Sequence, residues 1–151
     1  MDKANNEPKL LLPFLQPFYA AVSPLSWLIV RFAVGWNLLI HGWGKLSTGP
    51  TAGILKSYAT LGFTPPEFWF WTSTLTETLS GIALIVGLFT RFFAAAAAIE
   101  LLVITILYWN NGFSWLHRGY EYVLLWGLVC FAIALRGGGP LSLDRLIGRE
   151  L

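Results

Sequence analysis

Four apolar segments, each near the length that a helix needs to cross a bilayer, constrain this chain more than any other feature. They run from about Leu25 to Gly44, Trp69 to Thr90, Phe92 to Asn110 and Gly119 to Leu135. A spanning helix needs about 20 residues, and the last segment is the shortest of the four. A soluble protein of 151 residues has too little interior to bury four such helices on all sides. We therefore predict an all-α integral membrane four-helix bundle.

The composition agrees with this prediction and excludes several other classes. Hydrophobic residues make up 56% of the chain and charged residues only 12%, about half the usual share in soluble domains. The net charge of +2 is too small and too dispersed for a nucleic-acid surface, whereas eight tryptophans suit a bilayer interface. The single cysteine, Cys130, excludes an internal disulfide and a thiolate metal cage. Helical phase predicts that Cys130 faces lipid or a neighbouring subunit, and no metal site is expected.

The chain divides into one membrane domain and two tails. Residues 1–24 are predicted to form an N-terminal tail on the cytoplasmic side, with a short interfacial helix over Leu10–Ala21. We interpret this segment as retained, because Pro13 and Pro17 interrupt the apolar run that a cleavable signal needs. The membrane domain covers residues 25–136, and residues 137–151 form a C-terminal cytoplasmic tail.

The connections between the spans have clear signals. Phe89-Thr90-Arg91 is the whole turn between spans two and three, which predicts a tight antiparallel hairpin. The longer loop between spans one and two is predicted to hold a short helix over Thr51–Leu61, ended by Thr64-Pro65-Pro66. After the glycines that follow span four, Ser142 resembles the N-cap of one last helical turn.

The distribution of basic residues predicts the orientation. With both termini inside, six lysines and arginines lie on the cytoplasmic side and three on the outer side, which favours N-in, C-in. The short loop helix then lies on the outer side. The inner set is Lys3, Lys9, Arg91, Arg136, Arg145 and Arg149, and the outer set is Lys45, Lys56 and Arg118.

Polar groups at membrane depth mark the candidate functional residues, because each is costly there unless it is paired or hydrated. At 100° per residue, His41 and Lys45 share one arc of the first span with Arg31 and small residues. In the second span Glu77 shares a face with Ser73, Thr74, Ser80 and Gly81. We predict a catalytic group of His41, Lys45 and Glu77 in the outer half of the bundle, where a histidine beside a carboxylate suits proton-coupled chemistry.

Two further sets of charged residues are expected around this group. Arg31 and Glu100 are predicted to form an ion pair nearer the middle of the membrane, serving either as a structural fastening or as a relay. At the outer rim, His117, Arg118 and Glu121 are expected to close over the catalytic group. A haem bound by His41 and His117 has little support, because such sites usually lie deeper in a bundle and need a cavity of suitable size. A copper or zinc site formed by two histidines and a glutamate has as little, because no close ligand spacing supports it.

Several short motifs occur together in an order that resembles the DoxX family of four-helix bacterial membrane proteins. The resemblance extends from about Leu25 to Ile147, and its strength lies in the order and spacing of the pieces. They are Arg31-Phe-Ala-Val-Gly35, His41-Gly42-Trp-Gly-Lys45-Leu46, Leu61-Gly62-Phe-Thr-Pro65, Glu77-Thr-Leu-Ser-Gly81, Gly87-Leu-Phe-Thr-Arg91, Gly119-Tyr-Glu121-Tyr and Gly139-Pro-Leu-Ser-Leu-Asp144.

The resemblance implies a multi-pass protein of the bacterial inner membrane that is linked to respiratory, sulfur or redox-stress oxidoreductases. The family takes its name from a membrane subunit of a thiosulfate:quinone oxidoreductase, so quinone is the implied cofactor, although no motif encodes it. Three functions stay open: a subunit of a quinone-dependent oxidoreductase, a non-catalytic membrane anchor whose buried charges are structural, and a small-solute transporter acting as an oligomer. The partners implied are the bilayer and either further copies of the chain or a redox subunit.

Overall fold

The computed structural model describes residues 10–151, and this part of the chain contains helices and no strand. Four long helices form the body of the protein; one short helix connects the first two of them, and another follows the last. The α-helices are α1 (Gln16–Thr48), α2 (Ala52–Thr60), α3 (Pro66–Val86), α4 (Thr90–Tyr108), α5 (Glu121–Arg136) and α6 (Leu143–Ile147). Short 3-10 turns occupy Pro13–Leu15, Trp109–Asn111 and Trp115–His117.

The predicted boundaries hold for most elements. Helix α2 is the predicted loop helix, and the Thr51 hydroxyl caps it by accepting a hydrogen bond from the Ile54 N–H. The hairpin between α3 and α4 is as tight as predicted, with Gly87 and Phe89 in left-handed conformations. Ser142 caps α6 by accepting from the Arg145 N–H at 3.2 Å, which confirms the last helical turn.

The first helix departs from its prediction. Helix α1 begins at Gln16, so the second half of the segment expected to form a separate interfacial helix is the start of the first long helix. Pro17 lies in the first turn of α1, where a missing N–H removes no internal hydrogen bond, and therefore starts the helix instead of breaking it. Lys3 and Lys9, which contribute to the predicted orientation, lie outside the described residues.

The four long helices are arranged as a closed ring, in which α1 packs against α3, α3 against α4, α4 against α5, and α5 against α1. Small residues allow the closest of these contacts. A Cβ atom added to Gly35 would lie 2.7 Å from the Gly81 carbonyl oxygen, and one added to Gly81 would lie 2.7 Å from the Leu39 nitrogen. This close crossing of α1 and α3 is typical of helices that pack within membranes.

The interior is small and the outer surface is apolar. The core cluster comprises Val34, Leu38, Leu84, Ala94, Ala97, Cys130 and Ile133. Cys130 is fully buried there, so the prediction that it faces lipid is wrong; its face of α5 packs against the core. Large apolar side chains such as Ile29, Trp36 and Leu79 point outward instead, which suits a bilayer better than water.

Two helical segments of the described chain, Pro13–Thr48 and Thr90–Asn111, are long and apolar enough to cross a membrane. The other two long helices, α3 and α5, have features that keep them from meeting these criteria of length and hydropathy. Helix α5 has only 16 residues, and α3 contains Glu67, Glu77 and several serines and threonines. The polar residues of α3 are therefore the place to look for a site.

Candidate functional site

A hydrogen-bonded cluster joins α1, α3 and α4 in the half of the bundle that contains α2. The Lys45 ammonium lies 3.0 Å from the Glu77 carboxylate and donates a hydrogen bond to the Ser73 hydroxyl at 2.5 Å. Ser73 in turn donates to Oε1 of Glu100 at 2.5 Å. One lysine thus connects directly to one carboxylate and, through a serine, to a second carboxylate.

The local sequence explains how these side chains meet. Ser73 and Glu77 are four residues apart on α3 and therefore lie on the same face. Lys45 lies in the last turn of α1, where a cation is favoured by the partial negative charge of the helix end. Glu100 follows a run of five alanines on α4, and these small side chains leave room around its carboxylate.

The cluster opens into a cavity of about 510 Å³ between α2, α3 and α4, which we call the outer cavity after the orientation predicted from the sequence. Lys45, Ser73 and Glu100 are its charged and hydrogen-bonded members, and most of the other lining side chains are apolar or aromatic. The remaining lining residues are Tyr58, Leu61, Phe63, Trp69, Thr72, Thr76, Ala96, Ile99, Val103, Ile104, Leu107 and Tyr108. An apolar chamber with a few polar groups at one wall is the common form of a small-molecule site.

The polar cluster is incompletely satisfied within the described residues. Oε2 of Glu77 and Oε2 of Glu100 are buried and have no hydrogen-bond partner. An unpaired buried polar atom costs about 1–3 kcal/mol, and more when it carries charge. With both carboxylates ionised, the three charged groups also sum to −1, an unfavourable balance at membrane depth. The cluster therefore has both the geometry and the charge to receive a proton or a hydrogen-bond donor.

His41 does not join this cluster. Its side chain is exposed on α1 and does not line the outer cavity. The buried residues of α1 are Arg31, Val34, Gly35, Leu38 and Gly42, and at 100° per residue His41 lies about 75° from their mean direction. The predicted arc was wide enough to include a residue that the packed helix leaves outside.

Arg31 and Glu100 do not pair, so that prediction is wrong. Arg31 is fully buried near the opposite end of the bundle, where its guanidinium donates to the carbonyl oxygens of Leu84, at 3.3 Å, and Leu141. Fourteen residues separate Arg31 from Lys45 on α1, a rise of about 21 Å. Glu100 bonds instead to Ser73, at the Lys45 end. Arg31 thus binds the carboxyl-terminal end of α3, because Leu84 belongs to the last turn of that helix.

The rim residues also lie apart from the cavity. His117 and Arg118 are exposed, and half-buried Glu121 accepts a hydrogen bond from the Trp115 N–H at 3.3 Å, which stabilises its own loop. None of the three lines the outer cavity. Among the described residues, no group of three or more metal-ligating side chains is positioned to hold a metal ion.

The structure also gives two residues roles that the sequence alone does not indicate. Ser73 bridges Lys45 and Glu100, and its position one turn before Glu77 is the only signal of this role. Asp144 on α6 is buried and accepts from the N–H groups of Phe89, at 2.6 Å, and Thr90, at 2.9 Å. It caps the start of α4 from 54 residues away, a contact that no local pattern predicts.

Comparison with known proteins identifies the family. The DoxX family model matches residues 26–110, more than half of the chain, and this stretch contains all four residues of the cluster. The chain belongs to the DoxX family. It is therefore a member of a membrane-protein family associated with membrane redox and quinone systems. Searches of curated proteins and of solved structures gave no match.

Proposed function

We propose that this chain is the quinone-binding membrane subunit of an oxidoreductase system, with the quinone head group held in the outer cavity. The observation that carries the proposal is the Lys45–Ser73–Glu100 chain of hydrogen bonds at the wall of an otherwise apolar chamber. It replaces His41 with Ser73 and Glu100, since His41 points away from the cavity. Glu77 remains a member of the proposed site because it forms an ion pair with Lys45.

The proposal includes four membrane spans, formed by α1, α3, α4 and α5, with both termini on the cytoplasmic side of a bacterial inner membrane. The apolar outward surface of all four helices and the excess of basic residues on the terminal side support this orientation. Glu100 lies eight residues from the outer end of α4, about 12 Å into the membrane. A lipid-soluble head group can reach that depth from the bilayer.

The residues of the cavity fit a quinone. Such a ring is flat and apolar with carbonyl oxygens at opposite edges, and its reduction consumes two electrons and two protons. The Lys45 ammonium is a hydrogen-bond donor suited to one carbonyl oxygen. Trp69 and Tyr108 supply aromatic surface for the ring. The unpartnered Oε2 of Glu100 is placed to hold a proton beside the cavity.

The cluster also provides a route for protons between its carboxylates. Ser73 accepts from Lys45 and donates to Glu100, so its hydroxyl is able to pass a proton along the chain. Glu77, held by Lys45 and only 6% exposed, is the second group that can store one. No cysteine pair is present, and we propose that a partner subunit delivers the electrons.

The test measures quinone binding by the full chain in lipid nanodiscs. A short-chain benzoquinone is the ligand, and binding is monitored by the quenching of tryptophan fluorescence. We expect Glu100→Gln and Lys45→Met to weaken binding at least tenfold. Tenfold corresponds to about 1.4 kcal/mol, the size of one lost hydrogen bond to a charged group. Glu67→Gln and Lys56→Met are the matched controls, because both side chains are exposed and outside the cavity.

Circular dichroism and gel filtration of each variant separate loss of the site from loss of the fold, and Ser73→Ala provides a smaller change at the same place. Equal affinity in wild type and cluster variants, or no binding by wild type, would overturn the proposal. If wild type binds no quinone while Glu77→Gln lowers stability, the anchor function is favoured. Solute flux in proteoliposomes would instead favour the transporter.

A further inference from the structure

The five consecutive alanines of α4, Ala94–Ala98, have a position that the proposed function leaves unexplained. Ala94 and Ala97 are fully buried in the core. Ala96 lines the outer cavity, whereas Ala95 and Ala98 line a different cavity on the other side of α4. Between the two cavities the outward surface of α4 is therefore built from methyl groups.

The second cavity is a groove of about 670 Å³ between α4 and α5, here called the α4–α5 groove. Along α4 it extends from Arg91 to Thr105, a rise of about 21 Å. Leu128 and Phe131 form part of its wall on α5, and Gly127 deepens it. Its extended and apolar lining suits a linear hydrocarbon chain better than a compact ring.

The groove and the outer cavity meet on α4. Ile99 lines both of them and is 64% exposed, so it stands as a ridge between the two. Two turns earlier on α4, Phe92 forms another outward ridge. Between these ridges Ala96 lines the outer cavity and Ala95 lines the groove. This pair, here called the Ala95–Ala96 saddle, is a low stretch of surface between the two cavities.

We propose that the ligand of the outer cavity carries a long linear hydrocarbon tail, which crosses the Ala95–Ala96 saddle and lies in the α4–α5 groove. The inference rests on the proposed function and names its substrate class: a lipid-soluble, long-tailed quinone. The shared lining residue Ile99 argues for this occupant, because Glu100, which lines the outer cavity, is the next residue in the chain. A head group bound at Glu100 places its tail at the saddle.

The location of the tail is a sharper signature than affinity. Lipid tails are as apolar as the groove, so moving a hydrocarbon chain from the bilayer into it gains little hydrophobic free energy. What holds the tail in the groove is its covalent link to the bound head group, which raises its local concentration. The tail should therefore occupy the groove only while the head group is bound.

The experiment uses a benzoquinone that bears a decyl tail with a terminal diazirine, photolysed with the full chain in nanodiscs. Mass spectrometry then locates the label. We expect it to concentrate on groove residues such as Leu128 and Phe131, and an excess of short-chain benzoquinone to remove it. Ala95→Phe, which fills the saddle on the groove side, should lower groove labelling at least fivefold. Its matched control is Ala33→Phe, an exposed alanine of α1 outside both cavities.

Short-chain benzoquinone binding, measured by fluorescence, distinguishes the two proposals. If it binds normally but the tail labels all lipid-facing helices evenly, or the groove label persists under competition or in Ala95→Phe, the tail inference is wrong. Ala98→Phe tests the same groove at a second position and guards against a local defect. If the short-chain compound fails to bind wild type, the proposed function fails and the tail inference with it.

Discussion

Replacing Asp144 with alanine should destabilise the end of the bundle at the turn between α3 and α4. The carboxylate of Asp144 is 1% exposed and receives the N–H groups of Phe89 and Thr90, at 2.6 and 2.9 Å. These are the first free donors of α4, which a packed helix end cannot leave unpaired. The fully buried guanidinium of Arg31 lies at the adjacent end of α3, so the substitution also removes its nearby negative charge.

The size of the effect follows from these contacts. Each hydrogen bond to a charged group contributes about 1.5–3 kcal/mol, and loss of a helix cap alone costs about 0.5–2 kcal/mol. The two descriptions overlap, so we expect Asp144→Ala to lower the free energy of unfolding by about 3–4 kcal/mol. Asp144→Asn keeps one acceptor oxygen and should lose about half as much.

The assay is unfolding of the full chain in mixed micelles, monitored by circular dichroism. Glu150→Ala is the matched control: its carboxylate also lies in the C-terminal segment, but its 2.7 Å pair with Arg91 is partly exposed, and it accepts only one backbone hydrogen bond, from the Gly138 N–H at 3.1 Å. Such pairs contribute about 0–1 kcal/mol. A change of less than about 1 kcal/mol for Asp144→Ala, or an equal change for Glu150→Ala, would refute the reasoning.

Two further predictions concern helix packing and the excluded histidine. Gly81→Ala should destabilise the protein by about 1–3 kcal/mol in the same unfolding assay, because its Cβ atom would lie 2.7 Å from the Leu39 backbone nitrogen. Gly127→Ala is the control, because a Cβ atom added there would lie 3.4 Å from its nearest neighbour, a side-chain atom. Equal effects of the two substitutions would contradict this account of the α1–α3 contact. His41→Ala should leave short-chain benzoquinone affinity within twofold of wild type in the fluorescence titration, because His41 lies outside the cavity; a loss as large as that of Lys45→Met would return it to the site.

Much of the fold was predictable because its signals are local. Apolar length, the Thr64-Pro65-Pro66 stop and the Thr51 and Ser142 caps each act within a few residues, and the helix boundaries follow them. The polar face of α3 was equally readable, since Thr74, Glu77 and Ser80 are buried while Leu75 and Leu79 point outward. In both cases one helix carries the whole pattern.

The site was only half predictable because it depends on how helices are placed relative to one another. Lys45 and Glu77 meet as predicted, but the axial offset between α1 and α4 decides whether Arg31 or Lys45 lies level with Glu100. Periodicity gives the direction of a side chain around its own helix and says nothing about that offset. The rotation of α1 likewise excludes His41, which a wide arc on a helical wheel includes.

The error over Arg31 shows which partner a buried cation takes in this bundle. Pairing charges by approximate depth assumes that a guanidinium needs a carboxylate in direct contact, yet Arg31 is held by the carbonyl oxygens of Leu84 and Leu141. The last carbonyls of α3 are unpaired acceptors with partial negative charge, and the first N–H groups of α4 are unpaired donors. Arg31 donates a hydrogen bond to one of these carbonyls, and Asp144 accepts hydrogen bonds from the N–H groups. The tight turn between α3 and α4 is therefore held by a side chain on each side. This leaves Glu77 to pair with Lys45, and Glu100 to accept from Ser73 at the wall of the cavity where we propose that it acts.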